Sequence, residues 1–301
     1  MHIKKTPVFI LGNGRSGTTM IGQLLSAAKL GVSFEGHFVV KAFKEFGTYI
    51  NNQSELGQLI RLIEGFESSK AFELKLNRSD YNLDSPLLTK TVVNDALEQI
   101  AGEHSEKRWI EKTPHYINDL DLILKVFPDA KIIWMLRDGR DVAFSVFKKS
   151  WGANNCYYAA KDWVFSNYEK DALTDKRVLR VQYEKLLSNP IEGLAKIFSF
   201  LNYPYESIEE LAQRINPTKM NQWKAAMSKQ QVKTFESVAF DCLKKYGYET
   251  MYSEKPSLKW YERVLYIAHH NLLWGMHLVK INLIKPILIK LNLAAPFDEK
   301  N

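Results

Sequence analysis

The chain has 301 residues, 46% of them apolar and 25% charged, enough for one large α/β domain or a domain with an appendage, and a balance that excludes wholesale disorder. The net charge of +7 favours anionic ligands or surfaces, but the basic residues form no tract and no nucleic-acid reader motif, so nucleic acid is set aside as a partner. Cys156 and Cys242, the only cysteines, read as reduced, partly buried thiols. Met1-His-Ile-Lys-Lys-Thr6 precedes only a five-residue apolar run, and no stretch of 18 apolar residues occurs. The expectation is a cytoplasmic protein without signal peptide, N-terminal anchor or spanning helix.

The first predicted strand, Pro7-Val-Phe-Ile-Leu11, empties into Gly12-Asn-Gly-Arg-Ser-Gly-Thr-Thr19, and a helix follows with Met20, Ile21, Leu24 and Leu25 as its apolar positions. Glycines let backbone N–H groups curl around an oxyanion, and the helix N-terminus adds partial positive charge, so Gly14, Arg15, Ser16, Gly17, Thr18 and Thr19 form an anion cradle. The spacing is that of a nucleotide P-loop, but Thr18-Thr19 stand where Lys-Ser/Thr would follow, and Arg15 is the loop's only cation. A phosphate is expected there, without the usual apparatus for splitting ATP or GTP.

A second extended segment, Gly31-Val-Ser-Phe34, leads into Glu35-Gly-His37-Phe38. Residues 40–105 read mostly as helices, with Leu56, Leu59, Ile60 and Ile63 at three- and four-residue spacing and loops at Asn77 to Asp80 and Ser85-Pro86. Trp109-Ile110 is a brief strand ending in Glu111-Lys112-Thr113-Pro114, and a helix then runs to Phe127. Lys131 to Leu136 is an apolar run of the buried parallel-sheet type, emptying into Arg137-Asp-Gly-Arg-Asp141 and a helix through Phe147. Val178 to Val181 is a further strand, followed by Gln182-Tyr183-Glu184 and a helix. Strands alternating with helices predict a parallel sheet covered on both faces, with ligand groups at the C-terminal strand ends.

Composition changes after about residue 252. Between Val264 and Phe297 the only formal charges are Lys280, Lys285 and Lys290, while Leu265, Ala268, Leu272, Met276 and Val279 make one helical stripe that Pro286 should end. The division is residues 1–252 as the main domain and 253–301 as an amphipathic helical extension. The extension packs on the core or forms a homodimer surface by the favoured reading, and lies on an anionic membrane face by the other. His269, His270 and His277 lack a carboxylate or cysteine at ligand spacing, so no metal site is expected.

Arg15-Ser-Gly-Thr-Thr19 after a strand resembles the 5′-phosphosulfate loop of sulfotransferases that use 3′-phosphoadenosine 5′-phosphosulfate (PAPS). Phe127-Pro-Asp-Ala-Lys-Ile-Ile-Trp-Met-Leu-Arg-Asp-Gly-Arg-Asp141, with Ser145 following, resembles their 3′-phosphate motif. The likeness covers roughly residues 7–250 and is nearest the branch with tyrosylprotein and carbohydrate sulfotransferases. It implies a P-loop-like α/β fold of three layers, with a central parallel sheet flanked by helices, and transfer of a sulfuryl group from PAPS to a hydroxyl, leaving PAP. By the same resemblance, Arg15, the loop amides, Thr18 and Thr19 hold the leaving phosphate, and Arg137 and Ser145 grip the 3′-phosphate. Lys112 sits near the bridging oxygen, Tyr183 packs near the adenine, and Trp223-Lys224 is part of a segment closing over the nucleotide, with Lys219 or Lys224 reaching the 3′-phosphate.

The base is Glu35 by the family's pattern, with His37 as rival and His115 as a weaker third; Glu111 reads as a structural partner. The sulfuryl group carries less charge than a γ-phosphoryl, so fixed cations and N–H donors replace Mg²⁺ and no metal is required. Expected to be cytoplasmic, the chain is read as acting on a sugar, glycolipid or other metabolite rather than a protein, in the cytoplasm or at the inner membrane face. Two other classes stay open: a small-molecule kinase, for which Asp138 would imitate a magnesium ligand, and a non-catalytic nucleotide-binding scaffold.

Overall fold

In the computed structural model, which describes residues 6–102, 108–147, 149, 152–168 and 174–284, the apolar run that opens the chain is strand β1, Val8–Gly12, buried at every position. The other strands are β2 (Gly31–Phe34), β3 (Arg108–Glu111), β4 (Lys131–Leu136) and β5 (Val178–Gln182). They form one sheet in the order β2-β3-β1-β4-β5, every neighbouring pair parallel. The chain leaves β1 towards β2 and leaves β4 towards β5, in opposite directions across the sheet. The C-terminal ends of β1 and β4 are therefore a topological switch point, where such sheets bind ligands.

The helices, in chain order, begin with α1 (Thr18–Ala27), α2 (Val39–Phe46), α3 (Gln53–Glu64), α4 (Glu67–Ala71), α5 (Leu88–Ala101) and α6 (Leu120–Val126). They continue with α7 (Gly139–Val146), α8 (Cys156–Asn167), α9 (Tyr183–Ser188), α10 (Pro190–Phe200) and α11 (Ile208–Ala212), and end with α12 (Trp223–Ala226), α13 (Lys229–Lys245) and α14 (Trp260–Val279). The architecture is a central parallel sheet flanked by helices, with α13 and α14 as a C-terminal helical extension. One expected helix differs in detail: the segment after Thr113 starts as a 3-10 turn, Pro114–Asp119, before α6. Pro114 takes the first position, where no N–H donor is needed, and the tighter turn carries the chain into α6.

The chain divides into two compact units. One comprises Met1–Leu136 and Glu169–Thr218 and contains the sheet; the other comprises Arg137–Tyr168 and Lys219–Asn301 and, among the described residues, is helical. In the first unit Phe9, Trp109 and Phe127 meet edge to face or tilted, with centroids 5.2–6.0 Å apart. In the second, Trp163 on α8 packs against Phe235 on α13, and a capping box of Ser228 and Gln231 starts α13.

The tail helix α14 is anchored to the helical unit by one face. The Tyr266 hydroxyl lies 3.0 Å from Thr234 Oγ1, Asn155 Nδ2 donates to the Tyr266 carbonyl at 3.0 Å, and the His270 ring stacks on Tyr158 with centroids 3.6 Å apart. The stripe singled out in the sequence faces elsewhere: Leu265, Leu272 and Met276 are 64%, 65% and 60% exposed, and no residue of α14 is buried. The expectation that this stripe packs on the chain's own core is thus corrected. The polar and aromatic residues of the opposite face made the better fit against α8 and α13.

Candidate active site

The turn after β1 is shaped by two left-handed residues, Arg15 at φ 73° and Gly17 at φ 93°. The Ser16 N–H donates to the Asn13 carbonyl at 3.1 Å, which closes the turn. Gly17 is the N-cap of α1 and offers no side chain, so the first amides of the helix keep their donors and their share of the dipole. Ser16 is 1% exposed, and its Oγ has no hydrogen-bond partner among the described residues. An orphaned buried hydroxyl beside uncapped amides, with an exposed arginine in the same turn, fits an oxyanion. Tyr183, buried at the end of β5, backs this turn: a Cβ on Gly17 would lie 2.6 Å from its Cδ2. Only glycine satisfies both that approach and the positive φ.

Glu35 and Lys112 are brought together by strand register. Phe34 stands opposite Glu111 in the β2–β3 pair, and the Lys112 N–H donates to the Phe34 carbonyl at 2.8 Å, so the next residue of each strand leaves the sheet side by side. Lys112 Nζ pairs with Glu35 Oε1 and also lies 3.5 Å from Thr19 Oγ1, at the end of the cradle. The other Glu35 oxygen is 3.1 Å from His37 Nε2, and the His37 ring stacks on His115 with centroids 5.8 Å apart. Burial works to raise the Glu35 pKa, but hydrogen bonds from His37 and Lys112 outweigh it and hold the carboxyl at about 2. His115 is pushed below the usual imidazole range by burial and by its neighbour His37. Glu111 is fully buried, and burial pushes its carboxyl up to about 7.

The second unit holds the remaining motif. Arg137 Nη2 donates to the Lys219 carbonyl at 2.8 Å and lies 3.3 Å from Asp141 Oδ2, while Asp141 Oδ1 accepts the Trp223 N–H at 2.9 Å. Ser145 follows Asp141 by one helical turn, on the same face of α7. Lys224 is exposed, its Nζ 3.6 Å from Glu249 Oε2, and Lys219 meets Arg137 through its backbone. Arg140, which the sequence reading passed over, is the unit's fulcrum. Its guanidinium reaches both oxygens of Asp138, Glu236 Oε1 at 2.7 Å and the Glu249 carbonyl at 2.7 Å, with the Trp223 ring 3.8 Å from it. Its only signal in the sequence is its place in Arg137-Asp-Gly-Arg-Asp141, which says nothing of Glu236, 96 residues away.

Among the described residues no group of three or more His, Cys, Asp or Glu is placed to hold a metal ion, and no helix is long and apolar enough to cross a membrane. Cys156 and Cys242 are buried, and burial pushes both thiols up to about 12.

Comparison with known proteins agrees with the motifs. A model of the sulfotransferase family matches residues 7–207. A protein-tyrosine sulfotransferase of Drosophila melanogaster is 27% identical over 214 residues, 66% of this chain and 38% of that protein. Protein-tyrosine sulfotransferase 1 of Danio rerio is 24% identical over 212 residues, 66% of this chain and 53% of its own. The chain thus spans about a third to a half of these relatives' length. Among solved structures, the sulfotransferase domain of the Synechococcus PCC 7002 olefin synthase superposes with a TM-score of 0.53 at 21% identity, covering 82% of this chain and 97% of that domain. The sulfotransferase domain from the curacin biosynthetic pathway gives 0.54 at 18% identity, covering 81% and 98%. Both show the same fold.

Proposed function

Because the chain belongs to the sulfotransferase family, we propose that it transfers a sulfuryl group from PAPS to a hydroxyl-bearing acceptor and releases PAP. One observation supports this most: the Lys112 ammonium stands between Thr19, the last residue of the anion cradle, and the Glu35 carboxylate. A cation shared by a phosphate site and a candidate base suits in-line displacement, in which charge builds on the leaving oxygen as the nucleophile loses its proton.

Gly14, Arg15, the loop amides from Gly17 onward, and the hydroxyls of Ser16, Thr18 and Thr19 would hold the donor's 5′-phosphate. Arg137, Ser145 and Lys224 would serve the 3′-phosphate in their own unit, and Tyr183 would keep the cradle in shape. When bound, the donor supplies an electrophilic sulfur with a phosphate leaving group. Glu35 accepts the acceptor's hydroxyl proton, and Lys112, drawn from Glu35 towards the leaving oxygen, neutralises charge there and lets the carboxyl regain basicity. His37 orients Glu35 through the 3.1 Å contact. No metal is required in this scheme.

Labelled PAPS should give labelled product with a hydroxyl acceptor. Glu35→Gln should lower the rate by about 10² to 10⁴, and His37→Ala by less; the reverse order would make His37 the base. PAP should raise the melting temperature without Mg²⁺, by up to the equivalent of about 2.7 kcal/mol at a hundredfold excess over Kd. Stabilisation only by ATP with Mg²⁺ would favour a small-molecule kinase, and tight PAP binding with no transfer a non-catalytic scaffold. A sugar, glycolipid or metabolite is the acceptor class we test first, with a peptide tyrosine, as in the relatives' names, as the competing arm.

The partition into residues 1–252 and 253–301 goes with this reading, as does a cytoplasmic protein seated on the inner membrane face through α14. Exposed Leu265, Leu272 and Met276 and a sequence without Asp or Glu from Val264 to Phe297 suit an anionic lipid surface better than a second copy of equal charge. The full chain should sediment with phosphatidylserine vesicles, and Leu272→Glu with Met276→Glu should abolish it. A wild-type dimer that these substitutions dissociate, with no vesicle binding, would make the stripe a homodimer surface.

A further inference from the structure

Resting on Glu35 as the base, we infer that Glu111 is the positioning residue of the reactive turn: its buried carboxyl fixes the backbone of Glu35-Gly36-His37 against the strand end that carries Lys112. Glu111 Oε1 accepts the Gly36 N–H at 2.8 Å and the Thr113 hydroxyl, and Oε2 accepts the Thr113 N–H at 3.0 Å. The Thr113 oxygen in turn lies 3.4 Å from the His37 N–H, so the bridge reaches both sides of Gly36. On the other flank, Ser68 Oγ donates to the Gly36 carbonyl at 3.0 Å.

The turn needs such a hold. His37 sits at φ 58°, a left-handed conformation that is uncommon for a residue with a side chain, though less so for histidine than for most. A Cβ on Gly36 would lie 3.2 Å from Glu111 Oε1, so the carboxyl is seated directly against the backbone. Glu111 precedes Lys112 at the end of a strand, where successive side chains point to opposite faces. One residue therefore serves the reaction and its neighbour serves the turn opposite. Glu111 is 0% exposed and touches no reacting group, which separates its role from that of Glu35. All its contacts are with donors, and glutamine offers one acceptor oxygen and an NH₂ that must face the Thr113 N–H.

The test uses the full chain as Glu111→Gln, Thr113→Val and Thr113→Ser, with amide hydrogen exchange in the ligand-free protein and steady-state kinetics with PAPS. In Glu111→Gln the Gly36 and His37 amides should exchange at least about tenfold faster, and kcat should fall about 10- to 100-fold, the range expected when a reacting group is displaced by about 1 Å. PAP affinity and the KM for PAPS should stay within about twofold. Thr113→Val should repeat the effect in weaker form and Thr113→Ser restore it, so the pair decides if Glu111→Gln does not fold. Unchanged exchange at Gly36, an unchanged kcat, or a loss of PAP affinity parallel to kcat overturns the inference. If the wild type transfers no sulfuryl group while the exchange responds as stated, the proposed reaction fails and the hold on the turn stands.

Discussion

Glu35 divides its two oxygens between Lys112 and His37 on a turn where its side chain and that of His37 are 38% and 40% exposed, whereas Arg140 in the helical unit is 1% exposed and bonded to two carboxylates and a carbonyl. Both are charge clusters at the ends of parallel strands or the turns that follow them. A buried cluster cannot exchange a partner without stranding a desolvated charge, so it acts as scaffold. The half-exposed Glu35 and His37 can, because water or an incoming anion replaces what is lost, although the Lys112 side chain is only 10% exposed. Arg137 is likewise well buried, with the Asp141 carboxylate and the Lys219 carbonyl among its partners.

Arg140→Ala strands Asp138 and Glu236 and should cost about 3–5 kcal/mol in urea denaturation, whereas Lys112→Met, which leaves Glu35 its His37 partner and its access to water, should cost less while removing transfer.

Two carboxylates near the reactive turn should next show opposite pH linkage. Glu111 is held near 7 against an ordinary 4.5, so its contribution to stability is full below 4.5 and is lost as pH rises through 7. That loss is on the order of 3 kcal/mol and should be missing from the stability profile of Glu111→Gln. Glu35, held at about 2, contributes above 4.5 and loses its contribution as pH falls through 2, so Glu35→Gln should flatten the acid side instead.

Gly17→Ala meets the Tyr183 ring and a φ of 93°, and should cost about 1–3 kcal/mol together with PAP affinity. The smallest effect belongs to Lys224→Ala: its exposed pair with Glu249 should leave stability within about 0.5 kcal/mol, while PAP binding weakens severalfold if Lys224 serves the 3′-phosphate.

Much of this was legible in the residues. The strands announce themselves as apolar runs, and the cradle as a glycine-rich turn between a strand and a helix, because both signals are local. Glu35 was marked by its likeness to the family's base and Lys112 by its strand end, but their pairing was not legible, since 77 residues separate them and only the β2–β3 register joins them. Glu111 read as a structural partner of unknown purpose. Its hold on Gly36 appears once two strands lie side by side. Periodicity revealed the stripe of α14 but not its direction, because an amphipathic pattern says that a helix has two faces and not which one meets the protein.

The sequence by itself determined the family, through motifs that resemble those of sulfotransferases, and the parallel α/β architecture, through apolar runs alternating with helical periodicity, because such signals lie within a few residues of one another and the backbone converts them directly into shape. The tertiary structure alone decided which charges are scaffold and which can be exchanged. That distinction depends on burial and on partners distant in the chain, and desolvation acts only after the chain has packed.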